Sequence, residues 1–161
     1  MNIGFYAGSF DVFTYGHLLV VKKASILFDK LIIGMGVNEN KRRRYDINLM
    51  KKAIEKTLEQ EKLFNVEVII YNGFTVTEAE KHHANNLVRG IRTLTDYQFE
   101  EDLATKNEVL SGIDTIYIRS GKFGCISSSF VKALIDEGGW DISKYVPTPV
   151  LELINNLEGI V

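Results

Sequence analysis

Apolar runs alternating with segments of helical length constrain this chain more than any other feature. The runs span about Asn2 to Ala7, Lys30 to Val37, Val66 to Tyr71, Asn86 to Val88 and Thr115 to Ile118. Between them the apolar residues recur at helical rather than alternating spacing. This predicts helices over about Gly16 to Phe28, from an Asp46 cap to Gln60, and over Thr75 to His83, Leu94 to Leu110 and Ser128 to Glu137. A last helix is expected near Pro149 to Leu157. The second run is almost continuously apolar, as in a strand buried on both faces of a parallel sheet. Strands joined through helices by right-handed crossovers give an α/β fold, a doubly wound five-stranded parallel sheet with expected order 3-2-1-4-5. In such sheets ligands bind beyond the carboxyl ends of the strands, where the winding reverses. Here that crevice falls between the first and fourth strands.

Composition narrows the class further. At 161 residues, with 45% hydrophobic and 25% charged residues, the chain reads as one soluble domain over 1–161. A net charge of −2 and a pI near 5.9 argue against a general nucleic-acid binder. A small anionic ligand needs only local positive charge. The lone Cys125 permits no intrachain disulfide, which points to a reducing cytoplasm. No apolar run approaches the ~18 residues of a membrane span, so no membrane partner is expected.

The first strand runs into Gly8-Ser9-Phe10-Asp11-Val12-Phe13-Thr14-Tyr15-Gly16-His17. A strand that turns through glycine into a helix leaves free N–H groups at the positive end of the helix dipole, a seat for phosphate. The spacing is neither the glycine fingerprint of dinucleotide folds nor a P-loop. Other polar clusters fall on the same rim of the sheet. Lys41 follows the second strand, Thr75 the third, Arg89-Gly90-Ile91-Arg92 the fourth, and Ser127-Ser128-Ser129 the fifth. Lys41 is a flexible ammonium suited to a moving anion. Arg89 and Arg92 offer planar forks for two phosphates or, alternatively, pairs for Asp96 and Glu100. Arg43 and Arg44 read as solvated charge. Three serines at a helix start exceed the one a cap needs. Glu100 suits ribose hydroxyls or a pairing arginine equally. His82 and His83 lack a ligand partner at metal spacing, so no residue is assigned to a metal.

Ser9-Phe10-Asp11 with Thr14-x-Gly16-His17, Arg89-Gly90-Ile91-Arg92, Asp96-Tyr97-x-Phe99-Glu100 and Ile126-Ser127-Ser128-Ser129 together resemble the phosphopantetheine adenylyltransferases, of Rossmann-like nucleotidyltransferase fold. The resemblance runs from the first strand to at least Lys132. It implies transfer of AMP from ATP to 4′-phosphopantetheine, giving dephospho-coenzyme A and pyrophosphate. It also implies Mg²⁺, a bacterial cytoplasm, a homohexamer and coenzyme A as a feedback ligand.

By resemblance, Ser9 and Phe10 contact both substrates, and His17 stabilises charge on the α-phosphate, with Lys41 and Arg92 completing the catalytic set. ATP is expected against Gly90, Ile91, Arg92, Glu100, Phe123, Gly124, Cys125, Ile126, Ser127, Ser128 and Ser129. Phosphopantetheine is expected against Ser9, Lys41, Thr75, Arg89 and Asn107. The chain departs from the usual family pattern at Val12, where proline is common, and at Tyr15, Phe99, Asp102, Arg119 and Cys125. Two alternatives stay open: another nucleotidyltransferase of this fold, acting on cytidylyl groups or nicotinamide nucleotides, and a non-catalytic nucleotide sensor.

Overall fold

A computed structural model describes residues 1–159, so the final two residues of the expected 1–161 domain lie outside it. The strands are β1 (Ile3–Gly8), β2 (Lys30–Val37), β3 (Val66–Asn72), β4 (Asn86–Ile91) and β5 (Asp114–Arg119). They form one parallel sheet in the order β3-β2-β1-β4-β5, as expected from the alternation. The helices are α1 (Tyr15–Leu27), α2 (Ile47–Gln60), α3 (Thr75–Lys81), α4 (Leu94–Ser111), α5 (Ser128–Glu137) and α6 (Thr148–Glu158). None among the described residues is long and apolar enough to cross a membrane.

The pleat sends alternate side chains to opposite faces, and both faces are covered. Tyr6, Leu31, Ile33, Met35, Val68 and Val88 pack with residues of α1, α2, α5 and α6. Phe5, Ala7, Ile32 and Leu87 pack on the other face with Val76 and Ala79 of α3. Gly34 makes room for the Phe5 ring, which a Cβ there would approach to 2.5 Å.

Only part of the apolar content of α1 faces the core. Val20, Ala24 and Phe28 are buried, joined by Leu18 and Val21, whereas Ile26 and Leu27 face outward. α3 ends before His82 and His83, because His83 adopts a left-handed φ of 55° that no helix continues.

β4 is longer than its apolar run suggests. It pairs with β1 only from Asn86 to Val88, then continues as Arg89, Gly90 and Ile91 against β5 alone. The sheet therefore splits between β1 and β4 just beyond Val88, and Arg89 lies inside the strand at the edge of that split. α4 is unusual in having no buried residue, with Leu94, Phe99, Val109 and Leu110 all exposed.

Candidate active site

The β1–α1 turn is held from several directions. Phe10 takes a φ of 46° and the Asp11–Val12 peptide bond is cis. The Phe10 ring is buried, edge-on to Tyr6 at 5.2 Å and to His17 at 5.1 Å. Substrate contact from Phe10 is thereby limited to its backbone and the ring edge beneath the cavity. Asp11 is also buried, and its carboxylate accepts the N–H groups of Arg44 at 2.9 Å and Tyr45 at 3.1 Å. It thus joins this turn to the loop after β2, with Lys132 of α5 at 3.6 Å.

α1 starts with a reciprocal cap in which histidine takes the place usually held by Glu or Gln. Thr14 Oγ1 accepts from the His17 N–H at 3.4 Å, and the Thr14 N–H donates to His17 Nδ1 at 3.0 Å. A donor aimed at Nδ1 requires a lone pair there, so the proton of the neutral ring resides on Nε2. Burial, with the positive charges of Arg92 and Arg89, pushes the imidazole down to about 4. At neutral pH His17 is therefore an uncharged N–H donor with a fixed tautomer. Gly16 lets the following loop approach, since a Cβ there would meet the Ile126 carbonyl at 2.8 Å.

A cavity of about 270 Å³ opens over this cap, bordered by Gly8, Phe10, His17, Arg92, Glu100, Phe123 and Ile126 to Ser129. The three serines divide their work. Ser127 Oγ accepts the Phe130 N–H at 3.1 Å and caps α5. Ser128 Oγ donates to the Val12 carbonyl at 2.5 Å, which pins α5 to the first turn. Ser129 and the unpaired N–H groups of the first turn of α5 are left for an anion.

A larger cavity of about 800 Å³ adjoins it, bordered by Ser9, Lys41 to Arg43, Thr75, Arg89, Ser129 and Lys132. Gly8, Arg89, Ser128 and Ser129 line both. A more apolar recess of about 200 Å³, with Phe74, Thr75, Leu103, Asn107 and Leu110, leads away from Arg89 toward α4. Thr75 Oγ1 is bonded to the Tyr71 hydroxyl at 2.7 Å.

Arg89 and Arg92 both carry carboxylate partners, the arrangement weighted less heavily from the sequence. Arg89 grips Glu100 through Nε at 2.6 Å and Nη2 at 2.7 Å, and donates from Nη1 to the Ala7 carbonyl at 2.8 Å. Burial lowers the pKa of its guanidinium, but the Glu100 carboxylate outweighs this and the net shift is upward. Two further N–H bonds remain for a ligand. Arg92 pairs with Asp96 one turn on, at 2.9 Å, where solvent competes more readily.

Of the expected site residues, Ile91, Gly124 and Cys125 do not border these cavities; Cys125 is exposed. Ser9, Phe10, His17, Lys41, Thr75, Arg89, Gly90, Arg92, Glu100, Asn107, Phe123, Ile126 and the three serines all do. Tyr6, Ser120 and Lys132 also line them and escaped the sequence reading, and Arg43, read there as solvated charge, is corrected to a wall of the larger cavity. Tyr6 reads as a core aromatic in β1, yet it borders the smaller cavity with its hydroxyl near Gly90. A Cβ at Gly90 would lie 3.4 Å from Ser120 Oγ and 3.8 Å from that hydroxyl. Burial keeps the Tyr6 phenol neutral, well above its usual range. Lys132 is recognisable by spacing, one helical turn after Ser128 and Ser129 on the same face of α5.

Comparison with known proteins fits this geometry. The family model described as cytidylyltransferase-like matches residues 5–134. A phosphopantetheine adenylyltransferase of Lachnoclostridium phytofermentans is 36% identical over 156 residues, covering 96% of this chain and 94% of the relative. One from Porphyromonas gingivalis is 38% identical, covering 91% and 94%. Among solved structures, the nicotinic acid mononucleotide adenylyltransferase of Plasmodium falciparum superposes with a TM-score of 0.69 at 19% identity, covering 99% of this chain and 98% of that one. That likeness speaks for the fold alone. A turn with a capped, neutral histidine, two joined polar cavities and near full-length relatives at this identity place the chain in the cytidylyltransferase-like nucleotidyltransferases, as a member of the phosphopantetheine adenylyltransferase family.

Proposed function

We propose that the protein transfers the AMP moiety of ATP to 4′-phosphopantetheine, releasing pyrophosphate and forming dephospho-coenzyme A. The observation that carries this reading is the junction of the two cavities. A nucleotide pocket containing the His17 N–H donor and an acceptor pocket fringed with cations share Gly8, Arg89 and Ser129. Two ligands seated in them meet at that shared wall. The apolar recess beside Asn107 and Thr75 suits the pantetheine arm.

The acceptor phosphate has a second pKa near ~6 and is mostly dianionic at pH 7, so attack on the α-phosphorus needs no general base. The obstacle is repulsion between anions, about 4 kcal/mol for unit charges 4 Å apart at an effective dielectric of 20. Lys41, Arg89 and Arg92 offset it. His17, neutral and fixed in tautomer, donates from Nε2 to the α-phosphate oxygen where charge grows, and the N–H groups heading α5 receive the departing pyrophosphate. No protein nucleophile enters, and the displacement is in line.

Mg²⁺ fits this site only through the nucleotide. No three His, Cys, Asp or Glu side chains converge among the described residues, and Glu100 is already engaged by Arg89. The ion would therefore ride on triphosphate oxygens and water, as Mg²⁺ commonly does, and supply Lewis-acid screening there.

The proposed assembly is a cytoplasmic homohexamer of single-domain subunits, supported by the exposed apolar residues of α4 and by Phe74. Coenzyme A, which shares the pantetheine arm, would act as feedback ligand by competing for the acceptor cavity. Pyrophosphate release assayed against a panel of nucleotides and acceptors tests the reading. Release is expected only with ATP and phosphopantetheine together. Turnover of CTP or of a nicotinic mononucleotide would move the assignment to a sister activity, and ATP binding without turnover would leave a sensor.

A further inference from the structure

Neighbouring arginines on the loop after β2 have opposite fates. Arg44 is neutralised by Asp136 at 2.6 Å and Glu158 at 2.8 Å, which tie the loop to α5 and α6. Arg43 forms no ion pair among the described residues. Its Nη1 donates to the Ser9 carbonyl at 2.5 Å and its Nε to the Tyr45 carbonyl at 3.3 Å, while Nη2 is buried without a partner. Two carbonyls orient a guanidinium but do not cancel its charge. A half-buried cation without a counter-ion is costly, and an arriving anion relieves the cost.

Arg43 borders the larger cavity on the side of Ser9, Lys41 and Lys132. Two carboxylates act on Arg43 from a distance, but both are engaged: Asp11 accepts two backbone N–H groups and faces Lys132, and Asp46 caps α2 by accepting the Asn48 and Leu49 N–H groups. Lys41 and Arg42 are exposed, so their fields are screened, whereas the field of Arg43 is less so. Because its anchor is the Ser9 carbonyl, the charge is fixed relative to the turn that both cavities share.

We propose that Arg43 is a specificity-determining residue for the acceptor, a guanidinium at the cavity wall without an ion-pair contact, which the terminal phosphate monoester of the acceptor supplies. The inference rests on the reading of the larger cavity as the acceptor pocket. Arg43→Gln should raise KM for 4′-phosphopantetheine about tenfold, the worth of one charge-assisted interaction. KM for ATP should stay within about twofold, and inhibition by pantetheine, which lacks the phosphate, should be unchanged. Arg43→Lys should restore most of the loss.

A parallel rise in both KM values would assign Arg43 to support of the Ser9 turn and overturn the proposal, as would an unaltered acceptor KM. If Arg43→Gln fails to fold, Arg43→Lys decides: a tenfold or greater rise in its acceptor KM overturns the proposal, and a near-normal one supports it. Should the unaltered protein make no pyrophosphate, the assigned reaction falls by itself. Calorimetry of phosphopantetheine and pantetheine without ATP then reads Arg43 alone. A preference for the phosphorylated ligand that Arg43→Gln erases supports the inference, and equal affinities overturn it.

Discussion

At the residue scale, His17 carries the sharpest expectations. In the proposed reaction its neutral Nε2–H acts on the developing charge, so His17→Ala should lower kcat by about 10²–10³ while leaving KM for ATP much less affected. Steady-state kinetics on folded variant protein checks this. The same ring is a stability determinant. Its folded pKa of about 4 lies below the unfolded value near ~6.5, so the unfolded chain takes up the proton first as pH falls. The contribution is complete above ~6.5 and disappears as pH drops toward 4. Between pH 7 and 4.5 the loss is about 2–3 kcal/mol, and His17→Gln should show a correspondingly shallower fall in denaturant unfolding. Arg89 and Glu100 form a second test. Arg89→Ala strands a half-buried carboxylate, so it should cost more stability than the Arg89→Ala, Glu100→Ala pair. Chemical denaturation of the three variants measures the coupling. The Arg89–Glu100 pair was hard to read from sequence because side chains eleven apart meet only after β4 and α4 pack together. The different fates of Arg43 and Arg44 depend on Asp136 and Glu158, about a hundred residues downstream.

At the element scale, the central strands were legible because most side chains of β1 and β2 are buried on one face or the other, which leaves little room for polar interruptions. β4 is the exception that explains itself. Arg89 ends its apolar run, yet the strand continues three residues further because β5 still offers a partner while β1 has turned away. α4 went unread in a different sense. Its boundaries follow from spacing, but nothing local says that none of its residues is buried within its own chain. Leu94, Phe99, Val109 and Leu110 would be costly to leave in water, and a second copy of the chain is the cover proposed above. Replacing Phe99 and Val109 by aspartate should shift the protein to smaller species in sedimentation velocity while its far-ultraviolet circular dichroism stays native. An unchanged sedimentation coefficient would remove α4 from the interface.

At the scale of the whole molecule, five loops from one rim of a parallel sheet enclose two polar cavities that share a wall at the split between β1 and β4. Topology supplies the crevice, the first helix its neutral donor, and the surrounding loops the positive charge. The net charge of −2 is compatible with this because Lys41, Arg42, Arg43, Arg89, Arg92 and Lys132 gather around the cavities, and an anion there responds to that local charge. Titration at this scale belongs to the substrate. Acceptor kcat/KM should fall as pH drops below ~6, where the phosphate monoester takes up its proton, and not near 4, where the imidazole does. The most direct measurement is a rapid-quench single turnover with ATP labelled at the α-phosphate. Label should pass to dephospho-coenzyme A in one phase, with none on the denatured protein at any time and no labelled AMP when phosphopantetheine is omitted. Label on the protein, or AMP released without the acceptor, would contradict direct transfer across the shared wall.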